Sequence, residues 1–396
     1  MIPASDIAAR MADLEPIGLG ETGTNRLAWT AEDAEAARWF ETQAADVGLR
    51  VERDPAGNLW ACPAAPSPWW GVGSHLDSVR DGGRFDGALG VAAGFEVAAR
   101  ARAPVAVISF ADEEGARFNT PTFGSRALVG RLDVADVLAR VDDDGVTLAD
   151  AMRAAGVDPA GLAAAPRALE RLKGFVELHI DQTRDVARAG AAVGTVARLA
   201  SRLRLAARLT GRADHSGTTR REERRDALAA AARLIVAADE LAGADPDFLV
   251  TATRMLIEPN ALTTVPAHVA LWLDARAPAP ADLAAWRSRL ADAAERLQRD
   301  SGVSVAIEVA SESPGVVFHP EVADSLRHAA AALGHDAPEV TCYAGHDAGI
   351  LAERVPAGMV LVCNETGVSH SADEHVELED AARAADVMAA AVEALA

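Results

Sequence analysis

The chain has 396 residues, more than one ordinary core accommodates, and half of them are hydrophobic, so a large domain and a smaller one are expected. A net charge of −21 argues against nucleic acid and anionic membranes as partners, because either would repel the surface. Cys62, Cys342 and Cys363 are odd in number and lack a CxxC pairing, which argues against a disulfide framework and a thiolate zinc site and fits a reducing cytoplasm.

Residues 1–20 show no basic-then-apolar signal pattern, and no uncharged apolar run reaches the roughly 18 residues of a membrane span. Residues 32–47 have the spacing of an amphipathic helix, and 49–54 and 57–62 read as short strands joined at Pro55-Ala56-Gly57. A strand at 70–73 runs into Ser74-His75-Leu76-Asp77, and after a Gly/Asp-rich loop 87–101 returns to helical spacing. The apolar run 105–110 then ends in Ala111-Asp112-Glu113-Glu114-Gly115, again a buried strand delivering acids into a loop. Residues 177–182 form a third strand-like element that carries His179.

From Leu203 the order becomes strand 203–210, helix 226–241, strand 248–257, strand 267–274, helix 281–301 and strand 304–309. This is the βαββαβ order of a split ferredoxin-like unit. Its insertion predicts an α/β architecture with a sheet-centred domain from residues 1–199 and 314–396 and a smaller domain from 200–313. A helix at 321–333, a strand at 359–363 and a closing helix from Glu379 complete the first.

Of ten histidines, His75, His179, His215, His346 and His370 sit among glycine, serine or acids at loop positions. His268, His319, His328, His335 and His375 have no converging acids and read as structural or solvated. In His75-Leu76-Asp77 the ring would ligate a metal while Asp77 steers it by accepting its second N–H. Asp86 follows glycines that let the backbone turn tightly, and a carboxylate there can bridge two metals. Adjacent side chains diverge in extended backbone, so one of Glu113 and Glu114 can bind metal while the other faces water. The competing reading of that pair is an exposed helix N-terminus that favours acids. The set His75, Asp86, Glu114, His179 and His370 offers nitrogen and carboxylate oxygen without thiolate, which suits zinc and also manganese, cobalt or nickel.

Seven motifs, GSHLDSV, GGRFDGALGV, DEEGARF, ELHIDQ, DHSGTT, GHDA and GVSHSADE, run in this order over residues 73–374. Together they resemble the amidase branch of the dinuclear aminoacylase/carboxypeptidase superfamily, which contains N-carbamoyl-L-amino acid hydrolases, β-ureidopropionases and allantoate amidohydrolases. The resemblance implies two divalent ions, one held by His75, Asp86 and His179 and the other by Asp86, Glu114 and His370, with Asp86 bridging and Glu113 as base. It implies substrate contacts from Gln182, His215, Asn260, Arg276, Gly345 and His346, with His215 also stabilising an oxyanion. It further implies that the inserted domain is a lid and dimer contact. Arg276 matches the position that binds a substrate carboxylate, for which a planar guanidinium is well shaped.

The resemblance thus implies hydrolysis of an N-carbamoyl-L-amino acid to amino acid, carbon dioxide and ammonia. The alternatives are an allantoate-type or N-acyl amino acid hydrolase and, outside catalysis, a small-molecule binding protein on the same fold. Four departures from the family pattern bear on substrate: Asp181 for glutamate, Thr183 for glycine, Ser201-Arg202 for glycine-glutamine, and Asp214 for asparagine. Arg202 is either a second anion contact, favouring an acidic substrate side chain, or a solvated surface arginine.

Overall fold

A computed structural model describes all residues, 1–396. The chain divides into two compact units, one of Met1–Ala197 with Val317–Ala396 and the other of Arg198–Val316.

The first unit is built on a mixed sheet. Its centre is four parallel strands in the order Val105–Phe110, Trp69–His75, Leu172–Ile180 and Ala357–Val362. These strands are apolar almost without interruption, because helices and loops cover both faces. Antiparallel strands extend the sheet on both sides, Leu59–Cys62 and Arg50–Arg53 beyond the Val105 strand and Val193–Leu199 beyond the Ala357 strand. One large core joins the sheet to Ala88–Arg100, Pro320–Ala332, Leu378–Leu395 and the N-terminal helix Ala4–Leu14, whose Ile7, Met11 and Leu14 are buried. The alanine excess lies on these helices: Ala88, Ala92, Ala93, Ala381, Ala384 and Ala385 are fully buried and let helix and sheet approach closely. Because the four central strands run in one direction, His75, Asp112 to Glu114, His179 and the loop after Val362 gather along one edge.

Element boundaries mostly fall within one to three residues of those read from the sequence. The first long helix is Ala31–Asp46, and Thr30 caps it by accepting the Asp33 N–H. Residues 116–171, which show no clear periodicity, form Phe123–Leu128, Val134–Leu138, Leu148–Ala154 and the 3-10 segment Pro159–Arg171, packed as a separate small core around Trp29, Phe123 and Met152. No helix is long and apolar enough to cross a membrane.

The second unit is a four-stranded antiparallel sheet in the order Ser304–Ser313, Ser201–Thr210, His268–Ala277 and Leu249–Glu258. Numbered along the unit, that order is 4-1-3-2, the arrangement of a ferredoxin-like fold. Ala227–Ala242 and Pro280–Ser301 cover one face, where Leu205, Ala207, Leu271 and Leu273 meet Leu234, Trp286 and Leu290. Trp286 is fully buried and its Nε1–H donates to the Ala238 carbonyl. Truncating Trp286 to alanine should cost about 3–5 kcal/mol of this unit's stability, read as a lower urea midpoint; a change under about 1 kcal/mol would show that the site collapses freely.

Candidate metal centre

His75 ends its strand, and its Nδ1–H donates to the Asp77 carbonyl at 2.9 Å. His179 likewise donates from Nδ1 to the Ile180 carbonyl at 3.1 Å. Each bond selects the tautomer whose lone pair is on Nε2, and that of His179 also accepts the Gly87 N–H at 3.3 Å. Both Nε2 atoms face one oxygen, Asp86 Oδ1, at 3.3 Å from His75 and 3.1 Å from His179. Asp86 Oδ2 lies 3.7 Å from His370 Nε2, which is 3.4 Å from Glu114 Oε1. The five residues therefore form two donor triads, His75–Asp86–His179 and Asp86–Glu114–His370, each with ligand atoms within 4.8 Å of one another and with Asp86 common to both.

Gly87 makes the approach of His75 possible. Its φ is 64°, and an added Cβ would fall 2.3 Å from the His75 ring, so only glycine fits between the Asp86 carboxylate and the following helix.

Glu113 stands apart from both triads, buried, with Oε2 3.8 Å from His75 Nε2. The extended backbone expected for Glu113 and Glu114 is not what separates them: the segment bends after Asp112, whose φ is 51°. The bend is fixed by Asp77, whose two carboxylate oxygens accept the N–H groups of Glu113 and Glu114, each at 3.1 Å. The expected role of Asp77 changes accordingly. Its carboxylate is 3.8 Å from His75 Nδ1, and its own carbonyl, being closer, orients the ring.

The electrostatics call for cations. Asp77, Asp86, Glu113, Glu177 and Asp347 are buried together with Glu114 beside them, and the ion pairs they make are with histidines only. Burial, reinforced by Asp86, pushes Glu114 up to about 8. Burial likewise raises Glu113 well above the usual carboxylate range, with His75 opposing and Asp347, Glu114 and Asp77 adding to it. For Asp86 burial acts in the same direction, but the His179 and His75 rings outweigh it and hold the group well below its ordinary value. Lone pairs of two imidazoles aimed at one carboxylate, in a pocket with excess negative charge, fit divalent cations bound by nitrogen and oxygen.

Several residues with no role expected from the sequence, most of them inside the same motifs, support the site. Glu374 Oε1 accepts the N–H of Phe85 at 2.8 Å and of Asp86 at 2.9 Å, which fixes the loop that presents Asp86. Gly83 leaves room for it, since a Cβ there would lie 2.3 Å from the Glu374 carboxyl carbon. Glu177 accepts from Ser74 Oγ and the Ala348 N–H, and Asp347 accepts from Ser125 Oγ, which ties the Asp347 turn to the sheet. Arg26, fully buried, donates to the carbonyls of Leu76 and Ile17, while its N–H donates to Ser78 Oγ, so it grips the chain on both sides of Asp77. Replacing Glu374 with alanine should weaken metal binding by about 10–100-fold, measured by chelator competition, with glutamine restoring most of it; equal affinity in the alanine variant would refute the bracing role.

The residues expected to touch substrate are arranged unevenly. Gln182 Nε2 donates to Asp86 Oδ2 at 2.9 Å and to Ser369 Oγ at 3.1 Å, so it lies against the bridging carboxylate. Gly345 is exposed, but His346 is buried, packed 4.4 Å from the His179 ring, and its Nε2 has no hydrogen-bond partner. With Glu177 and His179 it makes a third donor triad. Burial and the neighbouring His179 hold its ring well below the ordinary histidine value. His215, Asn260 and Arg276 belong to the second unit, on separate elements: His215 on the short Asp214–His215 strand paired with Thr264–Val265, Asn260 in an exposed loop, and Arg276 on His268–Ala277.

Residues 71–394 match the model of peptidase family M20/M25/M40. The chain belongs to this family. Within it, the chain is 35% identical over 98% of its length, and 97% of the relative's, to an N-carbamoyl-L-amino acid amidohydrolase of Geobacillus stearothermophilus. It is 30% identical to an allantoate amidohydrolase of Bacillus subtilis strain 168, over 89% of this chain and 88% of that one. Among solved structures, a hydantoinase/carbamoylase family amidase from Burkholderia ambifaria superposes with a TM-score of 0.88 at 33% identity, covering 99% of this chain and 97% of the other. The M20 match and this superposition agree with the mixed α/β architecture expected from the sequence.

Proposed function

We propose that this M20-family chain is a metal-dependent amidohydrolase that cleaves the ureido C–N bond of an N-carbamoyl-L-amino acid and does not act on peptide bonds. The observation that carries the reading is the pair of donor triads sharing Asp86, with Glu113 beside them and outside both. The amidohydrolase named on the 35%-identical relative gives it the substrate.

His75, Asp86 and His179 would hold one divalent cation and Asp86, Glu114 and His370 a second, with zinc favoured over manganese, cobalt or nickel by the nitrogen-rich first set. When bound, such cations polarise a carbonyl and make water more acidic. Glu113 accepts a proton from the attacking water as its oxygen bonds to the carbonyl carbon, then delivers that proton to the nitrogen as the C–N bond breaks. Asp77 keeps Glu113 and Glu114 in register through their N–H groups. Arg276 receives the substrate carboxylate, His215 stabilises the developing oxyanion, and Gln182, Asn260, Gly345 and His346 complete the binding set. The amino acid leaves, and the carbamate decomposes to carbon dioxide and ammonia.

A second reading, allantoate hydrolysis, is favoured by the 30%-identical Bacillus relative. Metal-stripped protein reloaded with Zn, Mn, Co or Ni and assayed against N-carbamoyl-L-amino acids, allantoate and N-acetyl amino acids separates these. Metal-dependent ammonia release from carbamoyl compounds supports the first reading; ammonia from allantoate alone supports the second; loaded protein that turns over nothing refutes both. We further assign the chain to the cytoplasm, on three widely spaced cysteines with no CxxC pair, and to a homodimer joined through the second unit, which light scattering checks.

A further inference from the structure

The second unit holds an arrangement of charge that bears on the substrate's side chain. Strands Ser201–Thr210 and His268–Ala277 run antiparallel with Arg202 directly opposite Arg276 and Arg204 directly opposite Asp274. Leu203, Leu205, Leu273 and Ala275 point into the core under the helices, so by strand alternation these four charged side chains share the other face. Like charges placed directly across a pair of strands destabilise it. Asp274 offsets some of the cost, accepting Arg204 Nε at 2.7 Å and Arg276 Nε at 3.0 Å. Along the same face Arg208 has its own partner, Glu308.

Arg202 is the exception. It is half-buried, its Nε is enclosed without a hydrogen-bond partner, and burial together with Arg204 and Arg276 lowers its guanidinium pKa. Arg204 and Arg276 both donate to the Asp274 carboxylate, and Arg202 does not. A surface arginine would keep its fork in water, whereas an enclosed donor without an acceptor is costly unless a ligand supplies one.

We propose that Arg202 and Arg276 together select a substrate with a second carboxylate, the N-carbamoyl derivative of an acidic amino acid. The proposal rests on the reading that Arg276 receives the α-carboxylate, and it adds that Arg202 receives the one on the side chain. Directly opposed residues stand about 5 Å apart at Cβ, a separation that two long guanidinium side chains adjust to the carboxylates of an aspartate or glutamate skeleton. Each planar fork binds one carboxylate, and the substrate's second carboxylate supplies the acceptor that the enclosed Arg202 Nε lacks.

The test compares kcat/KM of the metal-loaded enzyme for N-carbamoyl-L-aspartate and N-carbamoyl-L-glutamate with that for their isosteric amides, N-carbamoyl-L-asparagine and N-carbamoyl-L-glutamine. At least about a tenfold preference for the acid over its amide is expected, expressed mainly in KM. Arg202→Gln should reduce that ratio to near one, and Arg202→Lys, which keeps the charge without the fork, should fall between. An enzyme that hydrolyses carbamoyl compounds with no preference for the acids, or an Arg202→Gln variant that keeps the preference, overturns the proposal. Hydrolysis of none of them defeats the amidohydrolase reading instead, and calorimetric binding of L-aspartate and L-glutamate against L-asparagine and L-glutamine then decides the role of Arg202 without turnover.

Discussion

Glu113→Gln should lower kcat by about three orders of magnitude while leaving metal content unchanged. The expectation follows from where Glu113 lies: its Oε2 is 3.8 Å from His75 Nε2, yet it belongs to neither donor triad. The amide matches the carboxylate in shape and removes only the ability to accept and return a proton. Its neighbour Glu114 belongs to a triad, so Glu114→Gln should reduce metal content together with activity. Metal analysis beside steady-state kinetics on the two variants reads the difference. A Glu113→Gln enzyme within tenfold of the parent, or one that has lost metal, would remove Glu113 from the proton-transfer role.

The second large effect is expected at Asp86. Its Oδ1 faces His75 and His179, its Oδ2 faces His370, and no other residue belongs to both triads. Asp86→Ala should therefore weaken binding of both ions, by more than about 100-fold, whereas His370→Ala should spare the ion held by His75 and His179. Stepwise metal titration distinguishes the patterns. If Asp86→Ala loses one ion and keeps the other at parental affinity, the shared-carboxylate arrangement is wrong.

What the sequence revealed of the site has a simple physical basis. A buried parallel strand is a run of apolar residues, and the first polar residues after it lie at the sheet edge where chemistry collects. Glu114 follows that pattern, His75 and His179 occupy the last and next-to-last positions of their strands, and Asp86 announces itself through the glycines beside it. Glu374 could not be found in this way. Its function is to accept main-chain N–H groups of Phe85 and Asp86, and main-chain donors are the same at every residue, so sequence holds no trace of the pairing. The HxD spacing points to Asp77 but does not reveal that its carbonyl, at 2.9 Å, lies closer to the His75 ring than its carboxylate, at 3.8 Å. The segment 116–171 was illegible because its helices are too short to repeat an apolar face.

The order in which the chain is synthesised has a consequence for when the metal centre can exist. The strand Ala357–Val362 inserts between Leu172–Ile180 and Val193–Leu199, and the loops after it bring His370 to Glu114 and Glu374 to the Asp86 turn. A nascent chain therefore reaches His75, Asp86 and His179 long before it has what braces them, and the second unit emerges and can fold in between. Such closure over nearly 300 residues is slow compared with local folding. Ion capture at full affinity thus becomes a late event, reserved for chains translated past Glu374, and ribosome-bound fragments ending earlier should exchange metal freely with the surroundings.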